Sequence, residues 1–279
     1  MKYLKLVFEM EDHYHELLIA DLMDMDFYGF EQEDGKLTAY IEIRRFNDAN
    51  REQIELMLDT IPGATFLEQE EIEERNWNEE WEKSIAAQKI GKFFVHPTWS
   101  NEPVPDGMVE LQIDPKMAFG TGYHETTRLI LNYLSETNCS GKTILDAGTG
   151  TGILAIASVL LGAKQAVGFD FDPWSQVNAL ENAALNNVSA KIEIRLGGFE
   201  QLGKDETFDL TLANINRNVI LEYLRELTGS VNPGGILCLS GLLVTDKDTI
   251  VKASEDLPLQ LVKKKNEGEW ILLEFKKEA

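Results

Sequence analysis

The segment that most restricts the fold is Asp146-Ala147-Gly148-Thr149-Gly150-Thr151-Gly152, set between the apolar run TILDA and the apolar stretch ILAIASVLLGA. A strand that passes through glycines straight into a helix is the opening unit of a parallel sheet, and ligands in such sheets sit at the carboxyl ends of the strands. Glycine permits the sharp turn and lets a ligand approach the backbone. A dinucleotide fingerprint needs its third small residue at the sixth position. Counted from Gly148, the sixth position is Ile153, and the third glycine comes one residue early, at Gly152. A pyrophosphate site is therefore disfavoured. The plain alternative is a tight strand–helix turn with no ligand.

Around this loop the pattern alternates. TILDA, QAVGFD, KIEIR, FDLTLAN, GILCLSGLL, LQLVKK and EWILLEF are seven strand candidates, and helical stretches at Ile153–Leu161, Pro173–Asn186 and Val219–Leu227 lie between them, with a weaker one near Phe199. Such alternation predicts an α/β domain with a mostly parallel sheet and helices on both faces. The last two runs, separated by KKKNEG, read as an antiparallel pair at one edge. Asp170 ends the second strand, 22 residues after Gly148, where a carboxylate can accept from both hydroxyls of an adenosine ribose. Asp172 is either a second ligand or the cap of the helix beginning at Pro173. Asn214 closes the fourth strand with both a donor and an acceptor to aim into the crevice. Upstream, AFGTGYHETT is rich in glycine and hydroxyls and leads into the helix RLILNYL, so it can fold over a ligand. No second His or Cys beside His124 suggests a metal site.

Residues 1–67 have a separate rhythm. Strands are expected at Tyr3–Phe8, Phe27–Glu31, Leu37–Arg44 and Ala64–Leu67, and helices at His13–Met23 and after a cap at Asp48, stopped by Pro62-Gly63. The order βαββαβ is the ferredoxin-like split motif. Residues 68–90 are acidic and helix-forming, with Trp77 and Trp81 one turn apart, and read as a linker helix. Residues 91–279 then form the α/β domain. The chain carries 48 acids against 26 bases, a net −22. That argues against binding to a phosphate backbone and favours a basic partner or a small molecule. The acid excess is steepest over residues 1–90, with 23 acids against 9 bases. Cys139 and Cys238 match no metal or disulfide spacing. No run approaches the roughly 20 apolar residues of a membrane span and no signal peptide is evident, so a cytoplasmic protein without membrane partners is expected.

In their order along the chain, these motifs resemble the class I S-adenosylmethionine-dependent methyltransferases. More narrowly, they resemble the PrmA family, bacterial methyltransferases of large-subunit ribosomal protein eleven. AFGTGYHETT is similar to that family's FGTG-x-H-x-TT segment, and ILDAGTGTGILAIA to its D-x-G-x-G-[ST]-G-I-L-A-I-A segment. GFDFDP, ENAALNN and LANI follow in the family's order. The resemblance covers essentially the whole chain. It implies a seven-stranded Rossmann-like sheet, S-adenosylmethionine as cofactor, and contacts to it from Thr127, Gly148, Asp170 and Asn214, with Gly150 and Phe119 as neighbours. It further implies methylation of lysine side chains and the N-terminal amine of a ribosomal protein recognised by the first domain. Asn216-Arg217 stands where the family has Leu-Ala, and Asn76 and Glu82 where it often has an acid and a lysine.

Transfer from a sulfonium requires a neutral amine aligned for in-line displacement, with Asn214 in a positioning role. His124 and Tyr123 are the candidates for a base. A nucleic-acid methyltransferase on the same fold is the rival enzyme. Its Asn/Asp-Pro-Pro-Tyr/Phe signature, whose aromatic stacks on an extruded base, is absent, since Asn214 is followed by Ile-Asn-Arg. A non-catalytic cofactor-binding protein is the alternative outside enzymes.

Overall fold

Separate cores organise two units, Met1–Trp77 and Asn78–Ala279. The computed structural model describes residues 2–23, 25–27, 29–73, 85–116 and 118–279.

In the first unit, strands β1 (Lys2–Glu9), β2 (Gly29–Glu33), β3 (Lys36–Glu42) and β4 (Thr65–Glu73) pair antiparallel in the order β2-β3-β1-β4. Helices α1 (His15–Met23) and α2 (Asp48–Thr60) complete the βαββαβ order. Period-two alternation decides which face is buried. Leu4, Leu6 and Phe8 of β1 and Leu37, Ala39 and Ile41 of β3 point inward onto Leu18 and Leu22 of α1 and Ile54 and Leu58 of α2.

Two expectations need correction here. The cap of α2 is Asn47, not Asp48: the Asn47 side chain accepts from the Asn50 amide, and the Asn50 side chain accepts from the Asn47 amide. The linker helix expected over 68–90 does not begin at Glu68. Residues through Glu73 continue β4, because β1 offers them a full partner register from Lys2↔Glu73 to Val7↔Glu68. Residues 88–90 are likewise a strand. Trp77 and Trp81, with Asn76 and Glu82, lie outside the described residues.

The second unit opens with a three-stranded sheet that the sequence reading did not anticipate. It comprises β5 (Gln88–Ile90), β6 (Phe93–His96) and β7 (Val109–Gln112). After α3 (Glu125–Glu136) come β8 (Thr143–Ala147), α4 (Ile153–Leu160), β9 (Gln165–Asp170), α5 (Pro173–Leu185), β10 (Ile192–Leu196) and β11 (Phe208–Asn214). Then follow α6 (Arg217–Glu222), α7 (Leu224–Gly229), β12 (Val231–Leu243), α8 (Lys247–Ser254), β13 (Leu259–Glu267) and β14 (Trp270–Lys277). The seven strands run in the order β10-β9-β8-β11-β12-β14-β13. The first five are parallel. β14 enters antiparallel between β12 and β13, which makes the expected antiparallel pair at the edge. Where a helix was expected near Phe199, the chain makes a single 3-10 turn, Phe199–Gln201. The pleat divides the apolar residues between two faces, Ile144 and Leu210 to one, Leu145 and Ala213 to the other. Order reverses beside β8, so the crevice lies where β8, β9 and β11 end. Among the described residues, no helix is long and apolar enough to cross a membrane.

Phe8 is fully buried in the core of the first unit. Phe8→Ala should cost that unit about 3–5 kcal/mol. Hydrogen exchange should then accelerate at amides of β1 to β4, while those of β8 and β11 keep their protection. Loss of protection in both sheets would mean that the two cores unfold as one.

Candidate active site

A cavity of about 760 Å³ opens at the carboxyl ends of β8, β9 and β11. Its floor is the glycine loop. Gly148, Gly150 and Gly152 all have left-handed backbone, with φ of 73°, 53° and 80°. Space is as restrictive as conformation. A Cβ on Gly148 would lie 2.4 Å from the Ile215 side chain, and one on Gly150 would lie 2.2 Å from the Phe119 carbonyl oxygen. Beneath the loop, the Asp146 carboxylate accepts from Thr149 Oγ1 at 2.8 Å and from the Ala155 amide at 3.2 Å. Its other oxygen, Oδ1, is buried without a partner.

Asp170 lines the cavity and also fixes the loop. Its Oδ2 accepts the Gly150 amide at 2.9 Å and its Oδ1 the Asp172 amide at 3.0 Å. Each oxygen keeps a lone-pair direction for a further donor. Asp172 also reaches the cavity, but its carboxylate caps α5, accepting from the Trp174 and Ser175 amides at 3.1 Å each and from Ser175 Oγ at 2.9 Å. The Ser175 hydroxyl bond holds its carboxyl below the usual range.

Asn214 lines the cavity on the β11 side. Its Nδ2 donates to Thr127 Oγ1 at 3.3 Å, while its Oδ1 is buried and unpartnered. Thr127 is fully buried and stands behind Asn214, and it is Thr126 that forms part of the wall. Phe119, 57% exposed, lines the cavity with its ring 5.6 Å from that of His124, which stands 4.7 Å from the Trp270 indole. Thus Gly148, Gly150, Asp170, Asn214 and Phe119 converge on one space, and Thr127 reaches it through Asn214.

Both candidate bases hold structural hydrogen bonds, although His124 also lines the cavity. His124 caps α3: its Nδ1 accepts from the Thr126 amide at 3.3 Å, which leaves the neutral ring's proton on Nε2. The Tyr123 hydroxyl donates to the Ala86 carbonyl at 2.7 Å and accepts from the Ala86 amide. Asp170, Asp172 and Glu222 bring three carboxylates to the described lining, which includes no Lys or Arg. The cavity therefore favours cations. Among the described residues no group of His, Cys, Asp or Glu could hold a metal.

Sequence reading missed Trp270, Gly241, Phe171 and Phe199, all of which line the cavity. Trp270 begins β14, and only the antiparallel insertion, with Leu243 opposite Trp270, brings a strand's start to the carboxyl end of its neighbours. Gly241 marks an irregularity in β12, with φ 80° and a hypothetical Cβ 2.2 Å from the Ile215 carbonyl oxygen. A glycine inside the apolar run GILCLSGLL was the available signal for it.

The chain's residues 8–278 match the family model for ribosomal protein L11 methyltransferase (PrmA). A ribosomal protein L11 methyltransferase of Porphyromonas gingivalis is 36% identical over 292 residues, 99% of this chain and 98% of that protein. Its counterpart in Chlorobaculum parvum is 36% identical over 275 residues, 96% and 94% of the two chains. The crystal structure of a ribosomal protein L11 methylase from Lactobacillus delbrueckii subsp. bulgaricus superposes with a TM-score of 0.64 at 30% identity, covering 70% of this chain and all of that one.

Burial pushes the Asp146 carboxyl up to about 6, with the bonds from Thr149 and Ala155 opposing the rise and the Asp170 charge adding to it. The folded state therefore holds this proton to higher pH than the unfolded chain, whose carboxyl titrates near 3.9. From this group, stability should fall as pH rises from about 4 to about 6 and then level off. Asp146→Asn keeps an acceptor for Thr149 and Ala155 but removes the charge. Its melting temperature relative to wild type should therefore rise across that window. A difference that stays constant from about pH 4 to 7 would contradict the titration.

Proposed function

The chain belongs to the ribosomal protein L11 methyltransferase family, and from that premise we propose that it transfers methyl groups from S-adenosylmethionine to lysine side-chain and N-terminal amines of ribosomal protein L11. The observation that carries this reading is the cavity itself: Asp170, the glycine loop and Asn214 line one cation-favouring space with no Lys or Arg in its described lining. A dinucleotide, with its anionic pyrophosphate, would meet three carboxylates there. A sulfonium cofactor and an amine acceptor are both matched to that field.

The residues fit such a cofactor. Asp170 would hold the ribose hydroxyls through its remaining lone pairs, and Gly148 and Gly150 would let the ligand lie against bare backbone. The cofactor supplies, when bound, a methyl group on a positively charged sulfur that is already a good leaving group. What remains for the protein is to bind, align and desolvate. A free lysine amine, with a pKa near 10.4, is neutral in only about one molecule in 10³ at neutral pH. Removal from water favours the neutral form. Asn214 Oδ1 accepts one amine N–H and so turns the nitrogen lone pair toward the transferred carbon. With Tyr123 bound to Ala86 and His124 capping α3, no dedicated base is assigned. The proton leaves with solvent.

The first unit serves substrate recognition in this reading. The net −14 over residues 1–90 suits a basic ribosomal protein and acts mainly on encounter rate. Incubation with methyl-labelled cofactor and unmodified ribosomal protein L11 should place label on lysine side chains and the N-terminal amine. No label in the protein, with label in ribosomal RNA when that is offered alongside it, would overturn the proposal.

Two variants refine it. Asn214→Ala should melt like the wild type yet lose about 10²-fold in methyl transfer, the size of effect expected when alignment is lost. Full turnover in that variant would reduce Asn214 to a partner of Thr127. Deletion of residues 1–73, which removes β4 entire, should leave binding of S-adenosylhomocysteine unchanged and abolish efficient modification of the folded ribosomal protein. Modification at the full-length rate would contradict the recruiting role.

A further inference from the structure

The glycine loop meets the segment 118–124, which precedes α3, at Thr151. The Thr151 amide donates to the Phe119 carbonyl at 2.9 Å, and its Oγ1 donates to the Gly120 carbonyl at 2.6 Å. Its own carbonyl accepts from Asn182 Nδ2 at 2.9 Å. Thr151 and Asn182 are both 0% exposed, so these bonds form where water cannot replace them. Asn182 extends the connection, since its Oδ1 accepts the Asp114 amide at 3.0 Å. One threonine thus joins the glycine loop to both ends of the chain that leads from β7 to the cavity.

The joint leaves no slack. A Cβ on Gly120 would stand 2.9 Å from Thr151 Oγ1, and Gly120 has φ 104°, where side chains are disfavoured. Phe119 is different: its ring lines the cavity and is more exposed than buried, so packing does little to fix it. Its place is set through its backbone, and that backbone is held by Thr151. Thr151 itself is absent from the cavity wall.

We propose that Thr151 is a positioning residue for the cofactor, its hydroxyl bond to Gly120 holding segment 118–124, and with it Phe119, in the geometry that receives the ligand. The bond is present before any ligand arrives, so the protein does not spend binding energy on ordering the segment. Removing the hydroxyl allows residues 118–124 to sample other positions and weakens binding without changing the alignment of the reacting atoms. This inference rests on the cofactor reading above.

The test uses the full chain carrying Thr151→Val, which keeps shape and removes the donor, and Thr151→Ser, which keeps the donor. Calorimetric titration with S-adenosylhomocysteine should show affinity about five- to tenfold weaker in the Val variant and within about twofold of wild type in the Ser variant, the effect of one buried hydrogen bond. In turnover, the KM for the cofactor should rise by a similar factor while kcat stays within about twofold. Amide exchange at residues 118–124 should be faster in the Val variant. If Val does not give folded protein, Thr151→Ala provides the same loss of donor. Wild-type affinity in a folded variant without the hydroxyl, or failure of Ser to restore affinity, overturns the proposal. If the unmodified chain binds no S-adenosylhomocysteine, the cofactor reading fails and this inference with it; if the unmodified chain binds and the Val variant binds equally, the positioning role alone fails.

Discussion

The hydrogen bond from the Gly150 amide to Asp170 Oδ2, 2.9 Å long, is the joint on which the site depends. It ties the loop after β8 to the end of β9, so that two neighbouring strands deliver one surface. The bond requires the backbone at Gly150 to adopt φ 53° and to pass within a side chain's width of Phe119. Glycine satisfies both demands and alanine neither. The same carboxylate accepts the Asp172 amide, which starts the turn into α5. A single acidic side chain therefore shapes the loop, holds the residue that caps α5 and lines the cavity.

Charge follows from that arrangement. Burial opposes ionisation of Asp146 beneath the loop, and Asp170 and Asp172 line the cavity above it. The lining thus presents carboxylates to a ligand with no Lys or Arg among its described members. Such a field attracts a sulfonium and an ammonium alike, and it would also stabilise the protonated amine. Desolvation must therefore supply the neutral nucleophile. Phe119 and Trp270, which line the same cavity as Asn214, provide apolar surface suited to that task.

Much of this was legible in residue order. Strand alternation and the glycine loop led to the α/β sheet and to the strand ends that carry Asp170 and Asn214, because both signals are local. Short-range capping was less legible: Asn47 and Asp48 are adjacent and both suit a cap, and only the reciprocal bond with Asn50 separates them. Composition misled at Glu68–Glu73, where glutamates favour a helix but pairing with β1 imposes a strand. Trp270 and Gly241 were invisible as site residues because an antiparallel strand places them there, and strand insertion is a tertiary event. Thr127 illustrates a finer limit. Its family motif was correct, but whether a buried hydroxyl faces ligand or Asn214 depends on how α3 is rotated.

Titration of the full chain with S-adenosylhomocysteine, repeated with Asp170→Ala, tests the central claim most directly. The account predicts saturable one-to-one binding in the wild type and a loss of about ten- to a hundredfold in the variant, as expected for removing charge-assisted hydrogen bonds. Binding that is absent in the wild type, or equal in the two proteins, would contradict it.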